Sequence, residues 1–257
     1  MSLLAGTVQP PLLTLLSTGS TPALSPVWHA HVGRGPHSLI EVVDDAVYPR
    51  ETGNSSTHVP KHTQRGSVAG HVAHLQSPRI GDTYLQAGGS SSSKEARPLG
   101  VELAWLGLQI KPLGARGLSV EVGVVDARGR EGAIRLSSWL EHPALRASAT
   151  PPLLHLPLAL PDDAARLTDW AEVCVHLAPL LALFRTLPSG AGDDEREAKK
   201  PRLASAAFAA LPEGRLASVS YVRVYANCRV RRVWFARDGR RTLDAVAGDE
   251  WALVAAA

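Results

Sequence analysis

Alternation of apolar and polar residues dominates the central third of the chain. Residues 99–110 and 118–125 alternate apolar with small or polar residues along most of their length, the pattern of a half-buried β-strand. The turn-forming residues 126–129 follow, and the apolar alternation resumes around Ile134. This pattern predicts two strands and a hairpin turn leading into a third.

Further short apolar runs predict more strands on both sides of this region. Pro152 precedes one of them, which predicts a strand start or an edge strand, because proline lacks a backbone donor. Another run should place Trp170, Val173 and Val175 against the core. The predicted strands are residues 12–16, 39–43, 153–160, 169–177 and 251–254.

The C-terminal residues 221–235, here called the signature segment, form two runs dense in β-branched and aromatic residues. The runs meet at Ala226 and Asn227, and we expect Asn227 to serve the turn or a bulge. Val230, Val233 and Phe235 cannot all face one side of a regular strand, because side chains alternate. The sequence therefore predicts a β-bulge near Arg231 and Arg232.

Two stretches interrupt the strand pattern and are predicted to be long loops. Residues 50–98 are rich in Gly, Ser, His, Pro and Thr, with apolar residues concentrated at 68–75 and 84–85. Residues 185–216 contain acidic and basic runs, with a short helix predicted around 204–210. The basic run 199–202 is read as a solvated loop rather than a nuclear-import signal.

Many short strands with little helix indicate an all-β fold. We expect a single domain spanning residues 1–257, an antiparallel β-sandwich of jelly-roll type. Long loops and at most one or two short helices should complete it. A chain of 257 residues is long enough to bury a sizeable core of this kind.

Composition and charge indicate which kinds of partner and which cellular compartment to expect. The net charge of +3 and the isoelectric point near 9.1 favour acidic partners on approach without choosing among them. Cys174 and Cys228 make no disulfide framework, so a reducing, intracellular compartment is expected. The N-terminus lacks the cationic start of a signal peptide, and no apolar run is long enough to span a membrane.

Candidate catalytic and metal-binding groups are sparse. His29 with His31 and His71 with His74 have spacings that bring imidazoles together, and His58 and His62 lie nearby, but no matching cysteine or carboxylate cluster accompanies them. Asp162 and Asp163 are read as a turn, and Cys228 as a small core residue. We therefore expect no enzyme activity, metal or cofactor.

The arginines of the signature segment are the candidate partner-binding residues. Their planar guanidinium groups suit carboxylates, which they bind through two parallel hydrogen bonds. The alternative is pairing inside the fold, for instance with Asp126 or Asp238. The candidates are Arg223, Arg229, Arg231 and Arg232.

The signature segment closely resembles the C-terminal signature of the cilia- and flagella-associated protein twenty family. The resemblance continues through residues 99–106, 118–126 and 134–139 in the same order and spacing, then through 152–177. Residues 12–22 and Trp28 are similar to the opening of the family. The two predicted loops, 50–98 and 185–216, depart from it and mark a divergent member.

This resemblance implies a non-enzymatic, structural component of the doublet microtubules in ciliary or flagellar axonemes. Its members lie at the inner junction between the A- and B-tubules and contact α/β-tubulin and neighbouring junction proteins. No membrane or nucleic-acid partner is implied. The alternatives are a centriolar or central-apparatus relative, or a soluble carbohydrate- or nucleic-acid-binding jelly roll with Trp28 or Trp251 exposed.

Overall fold

The computed structural model describes residues 2–4, 6–19, 24, 26–45, 71–90, 96–160, 170–188 and 208–246. Its strands form two sheets packed face to face. The six-stranded sheet has the order β11-β6-β13-β4-β3, and β1 also pairs with β13. Its strands are β1 (Leu12–Ser17), β3 (Leu39–Asp44), β4 (His71–Gln76), β6 (Trp105–Pro112), β11 (Ala171–His176) and β13 (Cys228–Ala236).

The seven-stranded sheet has the order β2-β5-β12-β7-β8-β10-β9. Its neighbouring strands are antiparallel except for β8 and β10, which run parallel, so the expectation of a wholly antiparallel sandwich is corrected there. Its strands are β2 (Trp28–His31), β5 (Tyr84–Gly88), β7 (Ser119–Asp126), β8 (Glu131–Ser137), β9 (Ala144–Arg146), β10 (Leu153–Pro157) and β12 (Leu216–Tyr225).

A few short helices accompany the sheets. They are α1 (Leu177–Leu180), α2 (Leu183–Thr186) and α3 (Arg240–Val246), with a 3-10 turn at Ile80–Asp82. The described part of the chain thus has three named α-helices where at most two were expected. Residues 208–210 are also helical, at the end of the predicted 204–210 helix. Among the described residues, no helix has the length and apolar character needed to cross a membrane.

The core lies between the sheets and follows the two-residue period of the strands. Alternate residues of β7 and β6 point inward from opposite sheets and are buried. They are Val120, Val122 and Val124 on β7, and Leu106, Leu108 and Ile110 on β6. The all-β sandwich predicted from the sequence is confirmed.

The hairpin prediction at residues 126–129 is confirmed, since β7 and β8 pair on either side of it. The Gly129 N–H donates to the Asp126 carbonyl at 2.9 Å, and Gly129 has φ +77°, a backbone conformation that glycine adopts without strain. Asp126 also accepts the Arg130 side chain, Nε to Oδ2 at 2.7 Å. The Asp126 carboxylate therefore stabilises its own turn and does not pair with an arginine of the signature segment.

Three expectations about strand positions need correction. Residues 99–104 lie outside the strand that begins at Trp105, because this stretch instead contacts β12, where Leu99 donates its N–H to the Ser220 carbonyl at 2.8 Å. The predicted strand 153–160 is shorter and is not an edge strand, although it does begin just after Pro152. The loop predicted at 50–98 is wrong for β4 and β5, which contain most of its apolar residues.

Two glycines allow aromatic rings to lie flat on the sheets. Gly107 on β6 is in register with Trp234, and an added Cβ there would overlap the indole ring. Gly123 on β7 is in register with Tyr221, and an added Cβ there would overlap its ring. Each ring covers the strand that its glycine leaves bare, a pairing known to stabilise sheets. Trp234 and Tyr221 are consequently buried on outward positions.

The two described ends of the predicted 185–216 insertion are held together. One guanidinium nitrogen of Arg185 donates to the Leu211 carbonyl at 3.2 Å and to Glu213 at 3.0 Å. The Arg185 guanidinium also lies 4.5 Å from the ring centroid of Phe208. The acidic and basic runs at 193–202 lie outside the described residues, as does the predicted closing strand at 251–254.

Candidate partner-binding surface

The four candidate arginines do not form one surface. Arg223 lies on β12 of the seven-stranded sheet, whereas the other three lie on β13 of the six-stranded sheet. The signature segment crosses from one sheet to the other at Ala226 and Asn227, through a cis peptide bond. The two halves of this segment therefore face opposite sides of the sandwich.

Asn227 holds this crossing in place, in agreement with its predicted turn position. Its side-chain oxygen accepts the Ser77 backbone N–H at 2.8 Å, and its side-chain nitrogen donates to the Gly117 carbonyl at 3.4 Å. Its own carbonyl accepts the Leu113 N–H at 3.2 Å. Asn227 thus ties the crossing to two separate loops, the one that follows β4 and the one between β6 and β7.

The predicted bulge is confirmed at Arg231. The pairing of β13 with β6 shifts between Val230 and Arg232, so one extra residue lies on β13. The Arg231 carbonyl accepts both the backbone N–H and the hydroxyl of Thr18, each at 3.1 Å. The shift turns Val230, Val233 and Phe235 into the core, and all three are fully buried.

Arg229 belongs to a cluster centred on the Asp45 carboxylate, whose side chain is fully buried. Asp45 pairs with Arg229 and lies 3.5 Å from the Lys111 Nζ, and it accepts the Trp170 indole N–H at 2.9 Å. Arg229 Nε also donates to Nδ1 of His74 at 3.2 Å. Burial and the charge of Arg229 lower the pKa of His74, so its ring remains a neutral acceptor.

Arg232 is the least exposed of the arginines on β13. Arg232 is buried, and it is in register with Gln109 on one side and Ser17 on the other. Arg231 is half-buried, and burial lowers the pKa of its guanidinium. Of the three arginines on β13, Arg229 and Arg231 retain partial exposure.

Arg223 lies in a second cluster, centred on Glu121 of the adjacent strand β7. Glu121 is 3% exposed and accepts Arg223 through Oε1 at 3.2 Å and Arg135 Nε through Oε2 at 2.7 Å. The two arginine side chains retain 28% and 30% exposure, respectively. A buried carboxylate therefore fixes two guanidinium groups that still reach solvent.

Two tyrosines complete this cluster. The hydroxyls of Tyr221 and Tyr225 donate to Glu121 at 2.9 and 3.4 Å, which satisfies the remaining lone pairs of the carboxylate. Burial, and next the negative charge of Glu121, raise the pKa of both hydroxyls. The tyrosines therefore remain protonated donors throughout the physiological pH range.

Sequence reasoning did not identify Glu121, Arg135 or Asp45 as members of these clusters. Glu121 stands between valines in an alternating run, a pattern typical of a charged residue on the solvent side of a strand. The pairing of β7 with β8 could have identified this contact, because the hairpin register places the carboxylate of Glu121 directly opposite Arg135. The suggested partners Asp126 and Asp238 were wrong, since Glu121 and Asp45 take those roles.

The histidine pairs do not assemble into a recognisable metal site in the part of the chain that the structure describes, where no group of three or more potential ligands occurs. His31 instead stacks on Tyr84 with ring centroids 4.8 Å apart. His58, His62, Asp162 and Asp163 lie outside the described residues. Cys228 is a buried core residue, as predicted, and burial raises the pKa of its thiol to about 12.

Trp28 does not offer an exposed ring for stacking sugars. Only 6% of the residue is exposed, and its indole N–H donates to the Leu15 carbonyl at 2.8 Å. Trp251, the other tryptophan considered for that role, lies outside the described residues. The exposed-aromatic feature on which a carbohydrate-binding alternative depended is therefore absent at Trp28.

Comparison with protein-family models found no match for this chain, and a search of curated proteins found none either.

Proposed function

We propose that this protein is a non-enzymatic, structural component of ciliary or flagellar axonemal doublet microtubules. It would lie at or near the inner junction between the A- and B-tubules and contact α/β-tubulin and neighbouring junction proteins. The proposal rests chiefly on the resemblance of residues 221–235 and the central strands to the cilia- and flagella-associated protein twenty family. The all-β sandwich fold agrees with that resemblance.

The division of the signature arginines between two sheets supports a role that requires two neighbours. Arg223 faces one side of the sandwich and Arg229 the other, and each is anchored by a buried carboxylate. A rigid core that presents anchored arginines on both sides suits a protein wedged between two acidic surfaces. Affinity in such an assembly comes from many contacts spread over large areas.

The test is to express a fluorescently tagged copy in a ciliated cell and extract the axonemes with detergent and then with high salt. We expect signal along the doublets after both extractions, because contacts spread over large areas survive screening better than isolated ion pairs do. Cryo-electron microscopy of the same axonemes would then give the lattice position.

Matched variants make this experiment specific. Arg223→Gln and Arg229→Gln each remove one anchored cation, from opposite faces, and each should lower salt-resistant retention. Arg240→Gln removes the same charge from a side chain that is 68% exposed in α3, and it serves as the control. A soluble, nuclear or centriole-only signal for the unaltered protein would contradict the inner-junction proposal.

A further inference from the structure

A row of polar side chains runs straight across the seven-stranded sheet. Strand register aligns one outward residue from each of six neighbouring strands, because each residue pairs directly with the next. We call this set the polar row. Its members, in order, are His29, Gln86, Arg223, Glu121, Arg135 and His155.

The polar row carries excess positive charge where it reaches solvent. Glu121 is buried, whereas Arg223 and Arg135 on either side of it keep more than a quarter of their side-chain surface exposed. Gln86 holds the Nε of Arg223 at 2.6 Å, so the guanidinium is positioned from both sides. Two fixed cations oppose one buried anion, and the exposed end of each guanidinium can take another acceptor.

The acidic side chain farther along β8 does not cancel this charge. Glu131 accepts the hydroxyls of Ser90 and Ser220 at 2.7 and 2.5 Å and keeps its charge, but it lies four residues from Arg135 along β8, about 13 Å away, where the two charges interact only weakly. Arg146 on β9 adds positive charge close enough to lower the pKa of His155, after burial and the charge of Arg135. The complementary ligand for this face is therefore anionic.

The aromatic residues beside the row favour a peptide over a nucleic acid. Single-stranded nucleic acids bind by stacking bases on exposed rings. Tyr221 and Tyr225 are buried, and Arg223 lies over Tyr221 at 4.8 Å from its centroid. His31 already stacks on Tyr84. Trp139, whose ring centroid lies 6.3 Å from that of His155 at one end of the row, is 47% exposed, but a single ring does not make the series of stacking platforms that a single strand uses. Carboxylate recognition by the guanidinium forks is therefore the chemistry that the row favours.

We propose that the polar row docks a glutamate- or aspartate-rich peptide segment of a partner protein, with Arg135 and Arg223 receiving its carboxylates. This inference rests on the proposed function for its cellular setting and narrows it to one face and one chemical class of ligand. Six strands at about 4.8 Å spacing span roughly 24 Å. An extended peptide of about seven or eight residues covers that length.

The test uses the purified full chain and a fluorescein-labelled peptide of about eight residues in which glutamate alternates with glycine. Fluorescence anisotropy at low ionic strength measures binding, and a peptide with glutamine in place of glutamate is the reference. We expect saturable binding of the glutamate peptide alone. Equal binding of both peptides, or no binding of either, would overturn the inference.

Arg135→Gln with Arg223→Gln should weaken glutamate-peptide binding at least tenfold. The matched control is Arg128→Gln with Arg240→Gln, which removes the same charge from side chains that are 72% and 68% exposed and distant from the row. Equal weakening of peptide binding in both double variants would show that the effect comes from the change in net charge, and it would contradict specific binding at the polar row. Circular dichroism confirms that each variant is folded.

Glu121→Gln separates recognition from structural support. Removal of the buried anion leaves the two arginines less neutralised, so acidic-peptide affinity should rise about fivefold while the protein remains folded. Affinity that is unchanged or lower in the folded variant would contradict recognition of the peptide by these two arginines. If the double variant Arg135→Gln with Arg223→Gln fails to fold, Arg135→Lys with Arg223→Lys replaces it. Lysine keeps the positive charge but lacks the planar guanidinium group, so this variant should still weaken peptide binding severalfold.

A labelled single-stranded oligonucleotide serves as the competing probe. Tighter binding of this probe than of the glutamate peptide, lost in the Arg135 and Arg223 double variant, would overturn the peptide assignment. If the peptide does not bind but the protein is retained in salt-extracted axonemes, the proposed function is supported and the polar row is not its peptide-binding surface. If the peptide binds specifically but the protein is absent from axonemes, the polar row is a peptide-binding surface and the proposed axonemal function is wrong.

Discussion

The outer faces of the two sheets are built around the same device, a buried carboxylate that holds two cations, but the two carboxylates reach their positions differently. Glu121 belongs to a central strand, and its arginine and tyrosine partners come from the adjacent strands β8 and β12. Asp45 lies just beyond the edge strand β3, and its partners come from β6, β13 and the residue before β11.

This difference shows two ways of making a charged surface rigid. On the seven-stranded sheet, strand register alone aligns the charges, so the cluster is as firm as the sheet. On the six-stranded sheet, the cluster depends on Asp45, which lies beyond the end of an edge strand and accepts the Trp170 indole N–H. We expect the first face to tolerate changes in the surrounding loops and the second to be sensitive to them.

The largest expected effect comes from the glycines beneath the aromatic rings. Gly107→Ala should lower the free energy of unfolding by about 3 kcal/mol, because the added methyl group overlaps Trp234 in a fully packed site. Gly123→Ala should lower the free energy of unfolding by about 2 kcal/mol. The added methyl group would contact both the Tyr221 ring and the Ser220 hydroxyl, and the loss is smaller because the hydroxyl can shift. Chemical denaturation measures both.

Gly81→Ala is the control for these variants, because no atom lies within 4 Å of an added Cβ there and its φ is not positive. It should change the free energy of unfolding by less than about 0.5 kcal/mol. Equal losses at all three glycines would point to backbone effects instead of ring packing.

Removal of the central carboxylates should have an intermediate effect. Glu121→Gln is expected to cost about 2 kcal/mol, below the usual range for a broken buried pair because both arginines can rehydrate. Asp45→Asn should cost about 1 kcal/mol, since the asparagine oxygen still accepts the Trp170 N–H. A larger loss for Asp45→Asn, measured by denaturant titration, would reverse the ranking of the two faces.

The smallest effect concerns the two partly buried histidines, one on each face. Burial, followed by the charge of Arg229 for His74 and of Arg135 for His155, holds the pKa of each imidazole below its ordinary 6.5. Between that value and the lowered one, the unfolded chain binds more protons than the folded chain. Stability from these groups is therefore complete above pH 6.5 and declines as the pH falls toward the lowered pKa.

His74→Gln and His155→Gln should each flatten this slope, as seen in denaturation curves collected at a series of pH values. His142→Gln is the control on an exposed residue. A slope that is unchanged in both buried-site variants would assign the pH dependence to other groups.

Much of the fold could be predicted because it depends on local pattern. The alternation of β6 and β7 identifies which residues enter the core, and the three apolar positions 230, 233 and 235 require the bulge at Arg231. Conversely, α3 was not predicted, because Arg237 to Thr242 carries turn residues. The sheet membership of β12 and β13 also escaped prediction, since a short connection gives no sign of whether it crosses the sandwich.

The candidate surface was only partly predictable because its partners are distant in sequence. The sequence singled out Arg223 and Arg229 as candidates for partner binding, but the carboxylates that anchor them lie 102 and 184 positions away. An alternating pattern places a glutamate such as Glu121 on the outer side of a strand. It carries no information about whether tyrosines from another strand will cover it.

The closed base of the 185–216 segment has a consequence for how the chain length can vary. Because Arg185 contacts Leu211, Glu213 and Phe208, the two ends of the intervening sequence meet whatever its length. Each doubling of a flexible insert between such ends adds only about 0.6 kcal/mol of loop-closure entropy. This stretch can therefore be lengthened, shortened or exchanged by engineering while both sheets keep their register, which makes it a suitable position for grafting a foreign sequence.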